Sequence, residues 1–158
     1  AEPLSSTYAC VENVGVTMGD TVVILGSGPV GILLAILSRM RGASQVIMTD
    51  TNQSRLDKAS KFDVDACINS ATEDAVSEVK RLTGGRGASK VISANPSTVA
   101  QQQALQMSRP CGTVVFFGGV PKGALTDLLS QVRKLDMAEI KRFYAPFKGK
   151  RADSFTAG

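Results

Sequence analysis

Residues 21–31 read T-V-V-I-L-G-S-G-P-V-G, and the reading of this stretch decides the fold. Thr21 to Leu25 are β-branched or aliphatic throughout, the composition of a strand buried on both faces, as parallel strands are. Gly26, Gly28 and Gly31 follow in G-x-G-x-x-G spacing, and the apolar run Val30 to Met40 then has helical length, stopping at Arg41-Gly42. Each glycine has a physical task in such a strand–turn–helix. Gly26 permits the tight turn out of the strand, and Gly28, lacking a Cβ, lets a pyrophosphate approach the backbone. Gly31 lets helix and strand pack closely. Phosphates would then rest at a helix N-terminus, where free N–H groups and the macrodipole favour an anion.

The next strand supplies an acid at the expected distance. Gln45 to Thr49 read as the second strand and Asp50 ends it, 19 residues past Gly31. A carboxylate there accepts hydrogen bonds from an adenosine ribose and repels a 2′-phosphate, so NAD is expected over NADP.

Outward from this unit, strands and helices alternate. Upstream, Glu2-Pro3-Leu4 opens a helix whose stripe is Leu4, Tyr8, Val11 and Val14, stopped by Gly15. Downstream, Thr51 or Asn52 caps a helix running to about Phe62 with Leu56 and Ala59 inward. Asp63 to Asp65 form a turn and Ala66 to Ile68 a third strand. Ser70-Ala71-Thr72-Glu73 has capping-box spacing and starts a helix through Val76, Val79 and Leu82, broken at Thr83 to Gly87. Lys90 to Ser93 form a fourth strand, and the loop Ala94 to Ser97 launches a helix through Leu105. Arg109 to Gly112 turn the chain into a fifth strand, Thr113 to Phe117, which empties into Gly118-Gly119. This alternation specifies an α/β fold: a Rossmann-type, doubly wound, mostly parallel sheet with helices on both faces. Ligands of such sheets bind at the carboxyl ends of the strands, so Gly26 to Val30, Asp50, Ser93 to Asn95 and Gly118 to Val120 are expected to converge on one elongated ligand. Gly118-Gly119 either lets a nicotinamide ribose approach the backbone or is simply a turn.

Composition bounds the chemistry. The 158 residues suffice for one domain, no apolar run reaches membrane-spanning length, and the net charge of +4 is spread except over Lys141 to Arg151, which reads as a solvated end. Neither a nucleic-acid nor a membrane partner is expected. Ala1-Glu2-Pro3 lacks the start of a signal peptide, and the missing initiator Met suggests a processed or excised fragment. Cys10, Cys67 and Cys111 are far apart and without metal spacing, which points to a reducing, cytoplasmic setting. Histidine is absent altogether. A Cys or Ser nucleophile therefore has no His base, and Ser27 reads as a turn residue. A P-loop is excluded because Gly26 does not open G-x-x-x-x-G-K-[ST].

Taken together, E-P-L-S, G-V-T-M-G-D-T-V-V-I-L-G-S-G-P-V-G, T-D-x-x-x-S-R-L-D-K-A, L-T-G-G-R-G-A and R-P-C-G-T-V-V-F-F-G-G-V resemble the cofactor domain of zinc-dependent medium-chain dehydrogenases. The polyol (sorbitol-like) and threonine dehydrogenases are the branch they resemble most, over about residues 2 to 123. The resemblance implies a nicotinamide-dependent alcohol or polyol oxidoreductase, commonly a dimer or tetramer with zinc. It implies that Gly26, Gly28, Pro29, Val30 and Gly31 bind the pyrophosphate, that Asp50 takes the adenosine ribose, and that Arg55 lies beside the adenosine. It also implies that Glu2 faces the catalytic zinc from the cofactor side. The family's zinc ligands, however, come from a substrate domain preceding this segment, and one carboxylate cannot replace about three protein ligands. Ser93-Ala94-Asn95-Pro96 stands where the family has Glu-Ala-x-Gly after a hydrophobic pair, and Lys90 where an acid is common.

Residues 1–123 are thus expected to form an NAD(P)-binding domain, and 124–158 a C-terminal helical extension atypical of the family. In that extension Leu125, Leu128, Leu129, Val132, Leu135 and Ile140 recur at roughly helical spacing, either packing on the sheet or mediating self-association. The expected function is the NAD-binding half of an alcohol or polyol dehydrogenase, inactive without its substrate domain and carrying no catalytic residue or zinc of its own. The alternative is a standalone nucleotide-sensing or protein-interaction module.

Overall fold

The structure, a computed structural model, describes residues 2–120. Helix α1 (Glu2–Val14) leads into strand β1 (Thr21–Leu25), followed by α2 (Pro29–Met40), β2 (Gln45–Asp50), α3 (Gln53–Ala59) and β3 (Ala66–Asn69). Then come α4 (Ala75–Leu82), β4 (Ala88–Ser93), α5 (Thr98–Met107) and β5 (Ser108–Phe116). The five strands form one sheet in the order β3-β2-β1-β4-β5, and each neighbouring pair is parallel. The chain builds outward from β1 to β3, then crosses back and builds outward on the other side. The reversal lies between β1 and β4. The expected helical extension over 124–158 lies outside the described residues.

Side-chain alternation along the strands divides the core in two. Val22 and Ile24 of β1, Val46 and Met48 of β2 and Ile92 of β4 pack with Val11 and Val14 of α1, Leu34 and Ala35 of α2 and Ala59 of α3. Their neighbours Val23, Leu25, Ile47 and Val91 face the other way, onto Ala75 and Val79 of α4 and Ala104 and Met107 of α5. Helices therefore cover both faces of the sheet, which is why the central strands tolerate no polar side of their own.

Several local readings are corrected. In α1 the buried face is Thr7, Cys10, Val11 and Val14, whereas Leu4 and Tyr8 are about half exposed. Thr7 can sit in the core because its hydroxyl donates to the Pro3 carbonyl at 2.7 Å. Helix α3 ends at Ala59, well before Phe62, because its backbone turns through Ser60 and Phe62 stays exposed. The capping box at Ser70 to Glu73 does not form. Those residues make a turn on the Asn69 carbonyl, and Asp74 caps α4 by accepting from the Val76 and Ser77 N–H groups. Strand β3 continues to Asn69, and β4 begins at Ala88. Strand β5 begins at Ser108 rather than Thr113: Ser108 pairs with Ala88 and Thr113 with Lys90, so Arg109 to Gly112 bulge out inside the strand rather than precede it. Cys111 takes φ +62° in that bulge.

Lys90 has a structural reason to be basic. Its Nζ crosses from β4 to the end of α1 and donates to the Val14 carbonyl at 2.9 Å, satisfying a terminal acceptor at the negative end of the helix.

Candidate functional site

The turn leaving β1 is built by backbone geometry. Gly26 has φ +110° and donates its N–H to the Thr49 carbonyl of β2 at 2.7 Å. A Cβ at Gly31 would overlap the Gly26 carbonyl oxygen, so this first turn of α2 lies directly against the end of β1. Gly28 is different. Its φ of −73° suits any residue, and a Cβ there would meet nothing within 4 Å. Gly28 is also the N-cap of α2, with Pro29 next, and among the described residues no side chain caps the first-turn N–H groups. The positive end of a twelve-residue helix therefore lies beside a glycine with open space on its Cβ side.

Asp50, at the end of β2, is bonded into this turn. Its Oδ2 accepts from both the N–H (2.8 Å) and the hydroxyl (2.9 Å) of Ser27, and its Oδ1 accepts from the Asn52 N–H at 2.9 Å. A carboxylate has about four acceptor positions, so one remains, on Oδ1. Partial burial pushes the Asp50 carboxyl up. The Ser27 and Asn52 N–H groups, the Ser27 hydroxyl and nearby Arg55 outweigh it and hold the group below its ordinary value. Arg55 is exposed on α3, whose N-cap Asn52 accepts from the Arg55 N–H. Val30 is half-buried against the core rather than directed outward, and Pro29 opens the helix.

Two further loops close on the same edge. Leaving β4, Ala94 donates to the Leu25 carbonyl at 2.9 Å, and the Ser93 hydroxyl donates to the Asn95 carbonyl at 3.1 Å. Asn95 Oδ1 accepts from the Ser97 N–H at 2.8 Å. Leaving β5, Gly118 donates to the Ser93 carbonyl at 2.9 Å and lies so close to Asn95 that a Cβ would come within 2.8 Å of its backbone. Gly119 has φ +84°, and its carbonyl accepts from the Gln101 side-chain amide at 2.7 Å. Val120, half-buried, follows it.

Gly26, Asp50, Ser93, Asn95, Gly118 and Gly119 thus all lie at the carboxyl ends of the strands, with Ser93 fully buried there. A cleft of about 180 Å³ opens at the carboxyl ends of the strands, lined among others by Gly26, Thr49, Thr51, Ser70, Asn95 and Gln103. Thr49, Thr51, Ser70 and Gln103 escaped sequence reasoning. Thr51 and Ser70 sit one residue beyond β2 and β3, a position rule that could have found them; Gln103 belongs to α5 and carried no signal. Ser27, a turn residue as read, is in addition the partner that fixes Asp50.

Among the described residues no group of three or more His, Cys, Asp or Glu side chains could hold a metal ion, and the sequence contains no histidine. Zinc does not fit the described residues, Glu2 included. A dinucleotide does fit, because the open side of Gly28, the uncapped α2 terminus and the spare acceptor of Asp50 lie along one edge.

Known proteins agree with this geometry. Residues 29–145 match the family described as zinc-binding dehydrogenase, a match that continues beyond residue 123. An alcohol dehydrogenase of Cupriavidus necator is 35% identical over 115 residues, 73% of this chain and 31% of that protein. Erythritol/L-threitol dehydrogenase of Mycolicibacterium smegmatis is 34% identical over 139 residues, 87% of this chain and 38% of its own length. Among solved structures, a Sinorhizobium meliloti protein classed as a zinc-binding dehydrogenase and bound to NADP superposes with a TM-score of 0.70 at 27% identity, covering 77% of this chain and 36% of that one. The chain spans about a third of the length of the curated relatives it matches. With a five-stranded parallel sheet, a glycine-lined helix terminus at its edge and these relatives, the chain belongs to the zinc-binding dehydrogenase family and forms its Rossmann-type, nicotinamide-dinucleotide-binding domain.

Proposed function

We propose that this chain binds NAD, in preference to NADP, as the cofactor half of an enzyme oxidising a secondary alcohol or polyol. The observation that carries the reading is Gly28, a glycine with ordinary backbone and free space on its Cβ side at an uncapped helix terminus. Glycine is also an accepted N-cap, but the missing Cβ in addition leaves the backbone open to a group that comes up against it. In this reading the pyrophosphate lies on the backbone of Gly26 to Gly31, with the first-turn N–H groups of α2 donating to it. The spare acceptor on Asp50 Oδ1 takes an adenosine ribose hydroxyl, and the same negative charge disfavours a 2′-phosphate. Arg55 flanks the adenosine. The loops at Ser93 to Asn95 and Gly118 to Val120 hold the nicotinamide half.

When bound, the nicotinamide supplies the hydride acceptor. The residues of this chain bind and orient it, and among the described residues no group is placed to polarise an alcohol or take its proton. Those roles fall to a zinc-bearing substrate domain, so the chain alone is proposed to bind cofactor without turnover. Calorimetric titration with NADH and NADPH, of the chain and of Gly28→Ala, tests the reading. Micromolar NADH binding, weaker NADPH binding and the loss of both in a Gly28→Ala variant of unchanged melting temperature are expected. NADH binding that Gly28→Ala leaves intact would end it.

A further inference from the structure

The interior of α5 contains a polar side chain that neither packing nor helix formation explains. Gln101 is completely buried, among Ala104, Leu105 and Met107 of the same helix. Its Nε2 donates to the Gly119 carbonyl at 2.7 Å, while its Oε1 is buried with no hydrogen-bond partner among the described residues. An amide half satisfied in the core is costly to stability, and an aliphatic side chain of similar length would avoid that cost. What the amide achieves is a tie between α5 and the turn that leaves β5. At Gly119 itself the other hydrogen bond among the described residues is weaker: φ is +84°, and its own N–H reaches the Phe116 carbonyl only at 3.4 Å. Gly118 in turn is bonded to Ser93 of β4 and lies against the backbone of Asn95. The Gln101 hydrogen bond adds to these contacts and orients the Gly119 peptide at the β5 exit.

The strand order gives this tie a direction. Asp50 ends β2 on one side of β1, whereas β4 and β5 lie on the other. An elongated ligand whose ribose meets Asp50 must reach the Gly118–Gly119 turn with its opposite half. We propose that Gln101 is a positioning residue for the nicotinamide half of the cofactor, acting through the Gly119 carbonyl without touching the ligand. The inference rests on the dinucleotide reading of the site and adds to it a residue that selects between the two halves of one ligand.

The test separates the halves. The 158-residue chain and its Gln101→Met variant are titrated with AMP, which carries only the adenosine side, and with NADH, whose bound nicotinamide is followed by its fluorescence. Gln101→Met is expected to bind AMP as the parent chain does and NADH roughly fivefold more weakly, the loss associated with one net hydrogen bond, with a smaller fluorescence enhancement. Its melting temperature is expected to be equal to or above that of the parent. Gln101→Asn, whose shorter amide does not reach Gly119, gives the same split should the Met variant not fold. Equal weakening of both ligands, or of neither, overturns the inference while leaving the dinucleotide reading intact. A parent chain that binds neither AMP nor NADH overturns both.

Discussion

Asp50 shows how a residue recognised for binding can be held first by the fold. Three of its acceptor positions are occupied by Ser27 and Asn52 before any ligand arrives. Removing its charge therefore perturbs the turn as well as the proposed ribose contact, which makes Gly28 the cleaner probe. Ser27→Ala, which removes one donor to Oδ2 and leaves the N–H, is expected to cost about 1 kcal/mol in denaturant unfolding. The pH response follows from the same contacts. Asp50 lies below its ordinary value for the reasons given. Asp20 does too: burial raises it, but the N–H and hydroxyl of Thr17, the Ser89 hydroxyl and the Lys90 charge lower it further. A carboxyl depressed in the folded state contributes stability that is complete above its unfolded value, near 3.8, and lost as pH falls through the folded one. Thermal melts are expected to be insensitive to these two groups above about pH 5 and to fall below about pH 4, less steeply in Asp50→Asn. A melting temperature that holds level into that acid range contradicts this account.

Among the elements, those with strong local signals were legible and those decided by neighbours were not. β1, α2 and β2 could be read because β-branched runs and glycine punctuation coincide there with burial on both faces. The α4 cap illustrates the opposite: Ser70 to Glu73 has the right residue types, yet Asn69 draws that segment into a turn and Asp74, unremarkable in sequence, becomes the cap. Asp74→Ala is thus expected to destabilise by about 1 kcal/mol and Thr72→Ala by much less, measured in parallel by denaturant unfolding. The stripe chosen for α1 failed in a similar way. Periodicity located the helix, but the threonine buried at its centre is admitted by a hydrogen bond to its own backbone, which no hydropathy pattern reveals. Leu4→Ser should accordingly change stability by no more than about 0.5 kcal/mol, whereas Val11→Ala should cost about 1 to 3 kcal/mol. The bulge of β5 was equally hidden, since Pro110 and Gly112 signal a break without saying whether it falls before a strand or inside one. At the site, the glycine turn and Asp50 carried their own spacing rule, while Gln101 and Gln103 are ordinary helix residues whose importance arises only from where α5 lies.

On the scale of the whole molecule, the carboxyl edge of the sheet is shared by segments from Gly26 to Val120, so the proposed binding there would link the early and late parts of the chain. A nicotinamide dinucleotide at one hundred times its dissociation constant should raise global stability by about 2.7 kcal/mol, visible as a rise in melting temperature with NADH. The same sheet order has a consequence for biosynthesis. β1 is paired on one side by β2, a close neighbour in sequence, but its other edge waits for β4; Thr21 and Ser89, hydrogen-bonded across that seam, are 68 residues apart. At translation rates of about 5 to 20 residues per second, the apolar edge of β1 stays uncovered on the ribosome for roughly 3 to 14 s. During that interval the nascent chain presents Val22 to Leu25 as an open template for other chains, a hazard of synthesis that final stability does not remove.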